Sequence, residues 1–390
     1  MLVKIMLVGG GSGGHITPLL SIAKQLRLVQ SDVVISVVSE KKGKFLPMIR
    51  ANNAHFNTIY TISAGKYRRY HGQSVAKSIL DVKTNLLNIR DFFKFLVGLA
   101  QSVKLLIMEK PDVIFIKGGF VGVPVGLAAN MFDIPYITHD SDALAGLANR
   151  IIGKGAKINT VGMPAENYNY AKEKTDFVGV PIDDTFRPVS KSQQLKAKKQ
   201  LGFSNSDNIL LVTGGSNGAQ RLDVSVRSIA QKLLENNQHL RIVHQIGAGN
   251  QHLYDDLPDG LKNKVEVKSF INNLSTYSAA SDVIITRGGA TAITEYATQK
   301  KPCLIVPSPF LSGGHQLINV KALEKADAAV VANEEDAAQT ASFYKVVSSL
   351  LNDKNQQKRI ADNLHRLIPS DATAKICKLL LQYAKGPGNK

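Results

Sequence analysis

Cysteine is nearly absent from this 390-residue chain, with Cys303 and Cys377 the only two. That excludes a disulfide framework and fits a reducing compartment. No apolar run reaches the roughly 18 residues that a membrane-spanning helix needs. The opening MLVKIMLVGG is short and runs straight into glycines, so it reads as a buried first strand and not as a signal peptide. Tryptophan is missing altogether, which excludes nothing. Neither a convincing Asp-x-Asp metal loop nor an RNA-module motif is present, so no metal and no nucleic-acid partner is expected. Acidic residues are the scarce charge: 31 Asp and Glu stand against 48 Lys and Arg, a formal net charge of +17. Such an excess points to an anionic partner, whether nucleic acid, an acidic membrane surface or a phosphorylated substrate.

Glycine, by contrast, is concentrated at the ends of apolar runs. The runs KIMLV, DVVISVVS, DVIFIK, PYITH, NILLVTG, RIVHQIG, DVIITR and PCLIVPS alternate with helix-like segments. Many are continuously apolar, as strands buried on both faces of a parallel sheet must be. Strand–helix alternation argues an α/β doubly wound architecture, and the chain length suits two domains. The pattern starts twice, at KIMLV-GGGSGG and at NILLVTG-GSNGA. Between them GVPIDDTFRPVSKSQQ reads as a linker. The expected domains are residues 1–178 and 179–370, with a final helix in 371–385 packing back on the first. Both Rossmann-like domains are expected to present the carboxyl ends of their strands to a central cleft.

Gly9, Gly11 and Gly14 satisfy G-x-G-x-x-G after the first strand. Thr17 is a plausible helix cap and Pro18 suits a first helical turn. Backbone N–H groups at such a helix start bind anions, and glycine lets a phosphate come close. Alone, this loop also fits a dehydrogenase, with Glu40 as the ribose-binding acid. Three further glycine-rich turns weigh against that: Gly118-Gly119-Phe120-Val121-Gly122, Gly214-Gly215-Ser216-Asn217-Gly218 and Arg287-Gly288-Gly289-Ala290-Thr291. One dinucleotide needs one fingerprint, whereas four such turns suit two phosphate-bearing ligands.

The ordered set GGGSGGHITP, ISAGKYRRY, GGFVGVP, HDSDALAGLANR, GGSNGA, SFINNL, RGGATAITEYATQKKP and HQLIN resembles the MurG family over nearly the whole chain. The resemblance implies a GT-B glycosyltransferase. Its activity would be inverting transfer of N-acetylglucosamine from UDP-GlcNAc to the 4-hydroxyl of undecaprenyl-diphosphoryl-muramoyl-peptide. UDP-GlcNAc is then a substrate, and no cofactor is expected. Gly11, Ser12, Gly13, Gly14 and His15 become the acceptor diphosphate site. Ser12, Gly13, Gly14, Asp142, Ser216, Asn217, Gly218, Ile271, Arg287, Gly289, Ala290, Thr291, Glu295, His315, Gln316 and Asn319 become UDP-GlcNAc contacts. Within that set Ile271 would read uracil through its backbone, and Glu295 would hold the ribose hydroxyls. Ser216 and Asn217 would hold the diphosphate. Arg287 would steady the phosphates or pair with an acid, and His315, Gln316 and Asn319 would hold the sugar.

An inverting transfer needs a base for the acceptor hydroxyl. His15, which titrates near neutrality, is the candidate, and Asp142 a more remote one. The chain departs from the family at two places. His139-Asp140-Ser141-Asp142, expected in a loop after PYITH, stands where His-Glu-Gln-Asn is usual. Val180-Pro181-Ile182-Asp183 stands where Asn-Pro-Val-Arg is frequent. An acid beside a diphosphate is unfavourable, so Asp183 must point away or be compensated.

A lipid-linked acceptor places the enzyme on a membrane, peripherally, at the cytoplasmic face of the bacterial plasma membrane. Lys66, Arg68 and Arg69, with Phe92, Phe95 and Leu99 on a helix apolar on two faces, are the expected contacts with anionic lipid. Other cell-wall synthesis proteins are candidate partners. Three alternatives remain open at this level. They are a related GT-B enzyme with another lipid acceptor such as diacylglycerol, a nicotinamide oxidoreductase, and a non-catalytic UDP-sugar sensor.

Overall fold

The structure, a computed structural model, describes residues 2–68, 81–164, 166, 168–215, 218–247, 250–310 and 314–385, apart from the side chains of Lys83 and Gln251. The chain divides into two compact units, Met1–Asp183 with Asp371–Lys390, and Asp184–Ser370. Each is a Rossmann-like α/β domain built on a parallel sheet.

The first unit contains β1 (Lys4–Val8), α1 (Gly13–Val29), β2 (Val34–Glu40), α2 (Leu46–Ala51), β3 (Thr58–Ile62), α3 (Val82–Glu109), β4 (Val113–Ile116), α4 (Gly122–Met131), β5 (Tyr136–Asp140), α5 (Leu147–Ile152), β6 (Ile158–Val161) and β7 (Thr175–Phe177). The strand order is β3-β2-β1-β4-β5-β6-β7. It reverses between β1 and β4, and the glycine turns that follow these two strands flank that switch point, where open parallel sheets bind ligands. Side chains alternate across β4 as strand geometry requires. Val113 and Phe115 join a core with Ile16, Leu19, Ile22 and Leu26 of α1. Ile114 and Ile116 join the opposite core with Leu105 and Leu106 of α3 and Val125 of α4.

Two local expectations are corrected. Helix α1 starts at Gly13 with Ser12 as its N-cap, so Thr17 caps nothing and Pro18 lies inside the helix. Glycine disfavours a helix start, but Ile16 and Leu19 must reach the core, and burial of these two overrides it. His139 and Asp140 belong to buried β5 itself and not to the loop after it. The unit boundary lies at 183/184 because Val178 and Val180 are buried.

The second unit contains α6 (Lys191–Gln200), β8 (Asn208–Thr213), α7 (Gln220–Asn236), β9 (Leu240–Gln245), α8 (Asp259–Lys262), β10 (Val265–Lys268), α9 (Leu274–Ala280), β11 (Val283–Thr286), α10 (Ala290–Thr298), β12 (Cys303–Ile305), α11 (His315–Lys325), β13 (Val330–Val331), α12 (Glu334–Ala338), α13 (Thr340–Asn352) and α14 (Lys354–Leu367). Its strand order, β10-β9-β8-β11-β12-β13, reverses between β8 and β11, again at two glycine turns. The last helix, α15 (Ala372–Ala384), belongs to the first unit, where Ile376, Cys377 and Leu380 pack against α1.

Candidate functional site

In the first unit the turns after β1, β4 and β5 converge on His15. The His15 ring folds back over the loop, with Nδ1 2.7 Å from the Gly10 carbonyl oxygen and 3.2 Å from Ser12 Oγ. A carbonyl only accepts, so Nδ1 carries the proton and Nε2 keeps its lone pair in the neutral ring. The ring is neutral because burial, helped by the Lys117 charge, pushes its pKa down to about 4 against the pull of the Gly10 carbonyl and Asp142. The β4 turn closes over this ring. Gly119 has φ +77°, and a Cβ there would lie 2.7 Å from the Gly10 oxygen and 3.0 Å from His15 Nδ1. Only glycine fits.

The segment after β5 is pinned from beneath. His139 is fully buried; its Nδ1 lies 3.0 Å from Thr160 Oγ1, which itself donates to the Thr138 carbonyl. Burial, then the charge of Lys117, holds His139 neutral, and its role is structural. Asp140 accepts from Gly146 N (2.9 Å) and from Tyr170 Oη (2.6 Å), while Tyr168 Oη donates to the Asp142 carbonyl (2.7 Å). The two tyrosine rings stack. This clamp sets Asp142, half-buried, where its charge reaches both His15 and Lys117.

Two groups here, Lys117 and the Tyr168–Tyr170 pair, are absent from the sequence-based expectations, and Glu40 departs from its expected role. Lys117, 2% exposed, ends the apolar run DVIFIK, and a charge closing a buried strand just before Gly-Gly was the available signal. Glu40 does not reach out as a ribose ligand would. Its Oε2 is buried without a hydrogen-bond partner against Gly10, and burial raises its pKa, opposed by the Gly11 N–H and Lys66. The Tyr168–Tyr170 pair had no sequence signal, since it acts through tertiary contact.

In the second unit the turns after β8, β9 and β11 make a second cluster. The side chain of Gln245 bridges two loops: Nε2 donates to the Gly215 carbonyl (3.4 Å) and Oε1 accepts from Ile271 N (3.3 Å). Ile271 is buried, and its N–H is engaged by Gln245. Ser216 and Asn217 lie outside the described residues; Gly218, with φ +74°, closes the same loop. Helix α10 starts directly after Gly289, with Ala290 and Thr291 in its first turn and Glu295 in its second.

Arg287 is buried, pairing with Glu334 (2.7 Å) and donating to the Val306 carbonyl (3.1 Å). Of its two expected roles, the pairing with an acid is the one seen. Gln316 Oε1 accepts from Gly288 N (3.2 Å) and Ser308 N (2.9 Å), and Asn319 Nδ2 donates to the Gly288 carbonyl (2.8 Å). Both residues therefore brace the third glycine turn from behind. His315 opens α11 and is half-buried.

The expected membrane residues separate. Lys66 and Phe92 are exposed and Phe95 is half-buried. Arg68 is tied to buried Asp91 (2.7 Å), which burial disfavours as an anion but Arg68 and Arg90 hold below its ordinary pKa. Arg69 lies outside the described residues. Leu99 is half-buried and packs against the core that holds Leu105 and Leu106. The solvent face of α3 instead carries Val82, Leu86, Ile89, Phe92, Phe93 and Leu96, each more than 40% exposed. Among the described residues no helix is long and apolar enough to cross a membrane, and no group of three His, Cys, Asp or Glu is placed to hold a metal ion.

Residues 5–158 match the glycosyltransferase family 28 N-terminal domain and residues 209–375 its C-terminal domain. The UDP-N-acetylglucosamine–N-acetylmuramyl-(pentapeptide) pyrophosphoryl-undecaprenol N-acetylglucosamine transferase of Clostridium botulinum is 32% identical, over 98% of each chain. A transferase of the same name, number 3, from Bacillus thuringiensis is 35% identical over 85% of this chain and 87% of its own. The crystal structure of Acinetobacter baumannii MurG matches with a TM-score of 0.73 at 24% identity, covering 97% of this chain and 99% of that one, a likeness of fold.

Proposed function

The chain belongs to the MurG family of glycosyltransferase family 28, with a GT-B fold, and on that premise we propose that it transfers N-acetylglucosamine from UDP-GlcNAc to undecaprenyl-diphosphoryl-muramoyl-peptide, converting lipid I to lipid II in peptidoglycan synthesis. The observation that carries this reading is identity with the named transferases along almost the full chain. Purified protein incubated with radiolabelled UDP-GlcNAc and the muramoyl-peptide lipid is expected to yield labelled lipid. Absence of product, with UDP-GlcNAc still bound, would point to another acceptor.

The first unit holds the acceptor in this reading, and the second holds the donor. Ser12, Gly13 and Gly14 offer the N–H groups of an α-helix start to the acceptor diphosphate. His15 Nε2 takes the proton from the sugar 4-hydroxyl as that oxygen attacks the anomeric carbon. The departing UDP takes the negative charge. Since Arg287 is neutralised by Glu334, that charge falls mainly to the backbone of the Gly214-Gly215 and Gly289-Ala290-Thr291 turns and to the α10 dipole. Glu295 accepts the ribose hydroxyls. Glu295→Ala is expected to weaken UDP binding by about 10–100-fold, the loss of charge-assisted hydrogen bonds. Calorimetric titration checks this, with 2′,3′-dideoxy-UDP as control: it should bind wild type and variant equally. Unchanged UDP affinity removes Glu295 from the site.

The apolar crest of α3, flanked by Lys66, Arg90 and Lys94, is the surface we assign to the cytoplasmic leaflet, where the enzyme sits peripherally. Buried apolar area and attraction to anionic lipid act together there. Replacing Leu86 and Phe93 together by glutamate is expected to lower co-sedimentation with anionic vesicles by about tenfold or more, with little change in turnover of a detergent-soluble acceptor. Undiminished vesicle binding would move the contact elsewhere.

A further inference from the structure

Lys117 follows the last residue of β4, and its backbone N–H still donates to the Val8 carbonyl (2.9 Å), so it keeps the strand's register against β1. Alternation puts it on the side of Val113 and Phe115, beneath α1. It is level with the glycine loop that leaves β1 one residue later. An ammonium here is unfavourable for the fold. It is 2% exposed, it lies under the positive end of a helix, and no hydrogen bond or ion pair holds it among the described residues. Only the charges of Asp140 and Asp142 favour it, and burial outweighs them, taking its pKa down to about 8. A methionine of the same length would suit the core better. A buried cation whose charge reaches His15 in the first turn of a helix, at a topological switch point, is arranged for an anion that arrives from outside.

We propose that Lys117 is a substrate-binding residue of the first unit, its ammonium gripping the acceptor's diphosphate from below while the N–H groups of Gly13 and Gly14 hold it from the helix side. This rests on the reading of the first loop as the acceptor site. One consequence concerns His15. The charged or titratable groups coupled to it are Lys117, Asp142 and His139. Of these Lys117 is the cation, and it lowers the basicity of His15. A diphosphate seated on Lys117 cancels that field. His15 then becomes a stronger base only when the acceptor is bound.

The test uses the full-length protein saturated with UDP, so that the donor site is filled, and inorganic pyrophosphate as the probe. Wild type is expected to bind pyrophosphate in competition with the lipid acceptor, weakening as pH rises through about 8. Lys117→Met is expected to bind it about 30-fold more weakly, equivalent to about 2 kcal/mol. The variant should raise the acceptor KM by a similar factor, leave the UDP-GlcNAc KM within about twofold, and lose the alkaline limb. Its melting temperature should equal or exceed that of wild type, and the alkaline limb of wild type gives the answer even if the variant does not fold. Equal pyrophosphate affinity in both proteins, or a wild-type limb absent near pH 8, overturns the assignment of Lys117. Wild type that neither binds pyrophosphate in competition with the acceptor nor makes labelled lipid overturns the acceptor-site reading itself.

Discussion

His15→Ala is expected to lower kcat by about 10²–10⁴-fold, the span of general acid–base contributions, while UDP-GlcNAc binding stays within about twofold. The reason is geometric. The bond from Nδ1 to the Gly10 carbonyl fixes the tautomer, so Nε2 is the only ring atom able to accept a proton. Any side chain at Gly119 would collide with the ring in this position, so glycine there is what lets the ring lie against the loop. The pH dependence has a definite sign. With a folded pKa near 4 and an ordinary value of 6.5, the free enzyme keeps its base down to mildly acid pH, and activity falls as His15 protonates. The unfolded chain takes up that proton first. The stability linked to neutral His15 is therefore complete above about pH 6.5 and is lost as pH falls toward 4. The alanine variant should show a shallower loss of stability across that window. Steady-state kinetics and acid melting curves check both statements. A kcat within threefold of wild type would pass the base role to another group, with Asp142 the next candidate.

Asp282→Ala is expected to destabilise the second unit by about 3 kcal/mol or more, as when one partner of a buried ion pair is removed. Asp282 Oδ2 lies 2.8 Å from the Lys198 ammonium, itself 2% exposed, and accepts from Ile209 N (2.9 Å); Oδ1 accepts from Gln194 Nε2 (3.0 Å). One carboxylate thus joins α6, β8 and the start of β11. It also counters a second buried cation, Lys301, whose pKa burial pushes to about 8 despite Asp282 and whose ammonium caps the Ala279 and Ser281 carbonyls. Without the carboxylate two buried ammonium groups and a backbone N–H lose their counterpart. β11 carries the third glycine turn, so UDP binding should weaken alongside. Urea unfolding followed with and without UDP measures the effect. Combining Asp282→Leu with Lys198→Met should cost less than Asp282→Ala alone; a single-variant cost below about 1 kcal/mol would show that solvent reaches the pair.

The legible and illegible parts of the chain differ by mechanism. Every apolar run quoted from the sequence forms a strand, because a strand buried on both faces must be apolar throughout. Strands β3, β6, β7, β10 and β13 were not read. They lie toward the edges, and β3, β6, β7 and β10 mix polar residues into their runs while β13 is only two residues long, so their pairing is set by the neighbour strand. The α1 start was misplaced because propensity disfavours Gly13 and Gly14, while core burial of Ile16 and Leu19 decides the matter. Residues at the right turn also took unexpected tasks. Gln316 and Asn319 have the polar side chains a sugar needs, yet their bonds go to the Gly288 backbone, since a buried peptide group must be satisfied. Leu99 lies on an apolar helix face, but which face meets the core depends on how α3 lies against the sheet.

The sequence by itself determined the two parallel-sheet domains, the glycine turns at their strand ends and the resemblance to the family, because period, spacing and motif order are local properties. Only the tertiary structure decided which ring nitrogen of His15 is free, that Arg287 is already paired, that the Tyr168–Tyr170 clamp holds the Asp140 segment, and that Lys117 lies under α1. Those are matters of burial and of charges brought together from distant segments. Their energies depend on distances between residues far apart in the chain, and no local pattern encodes them.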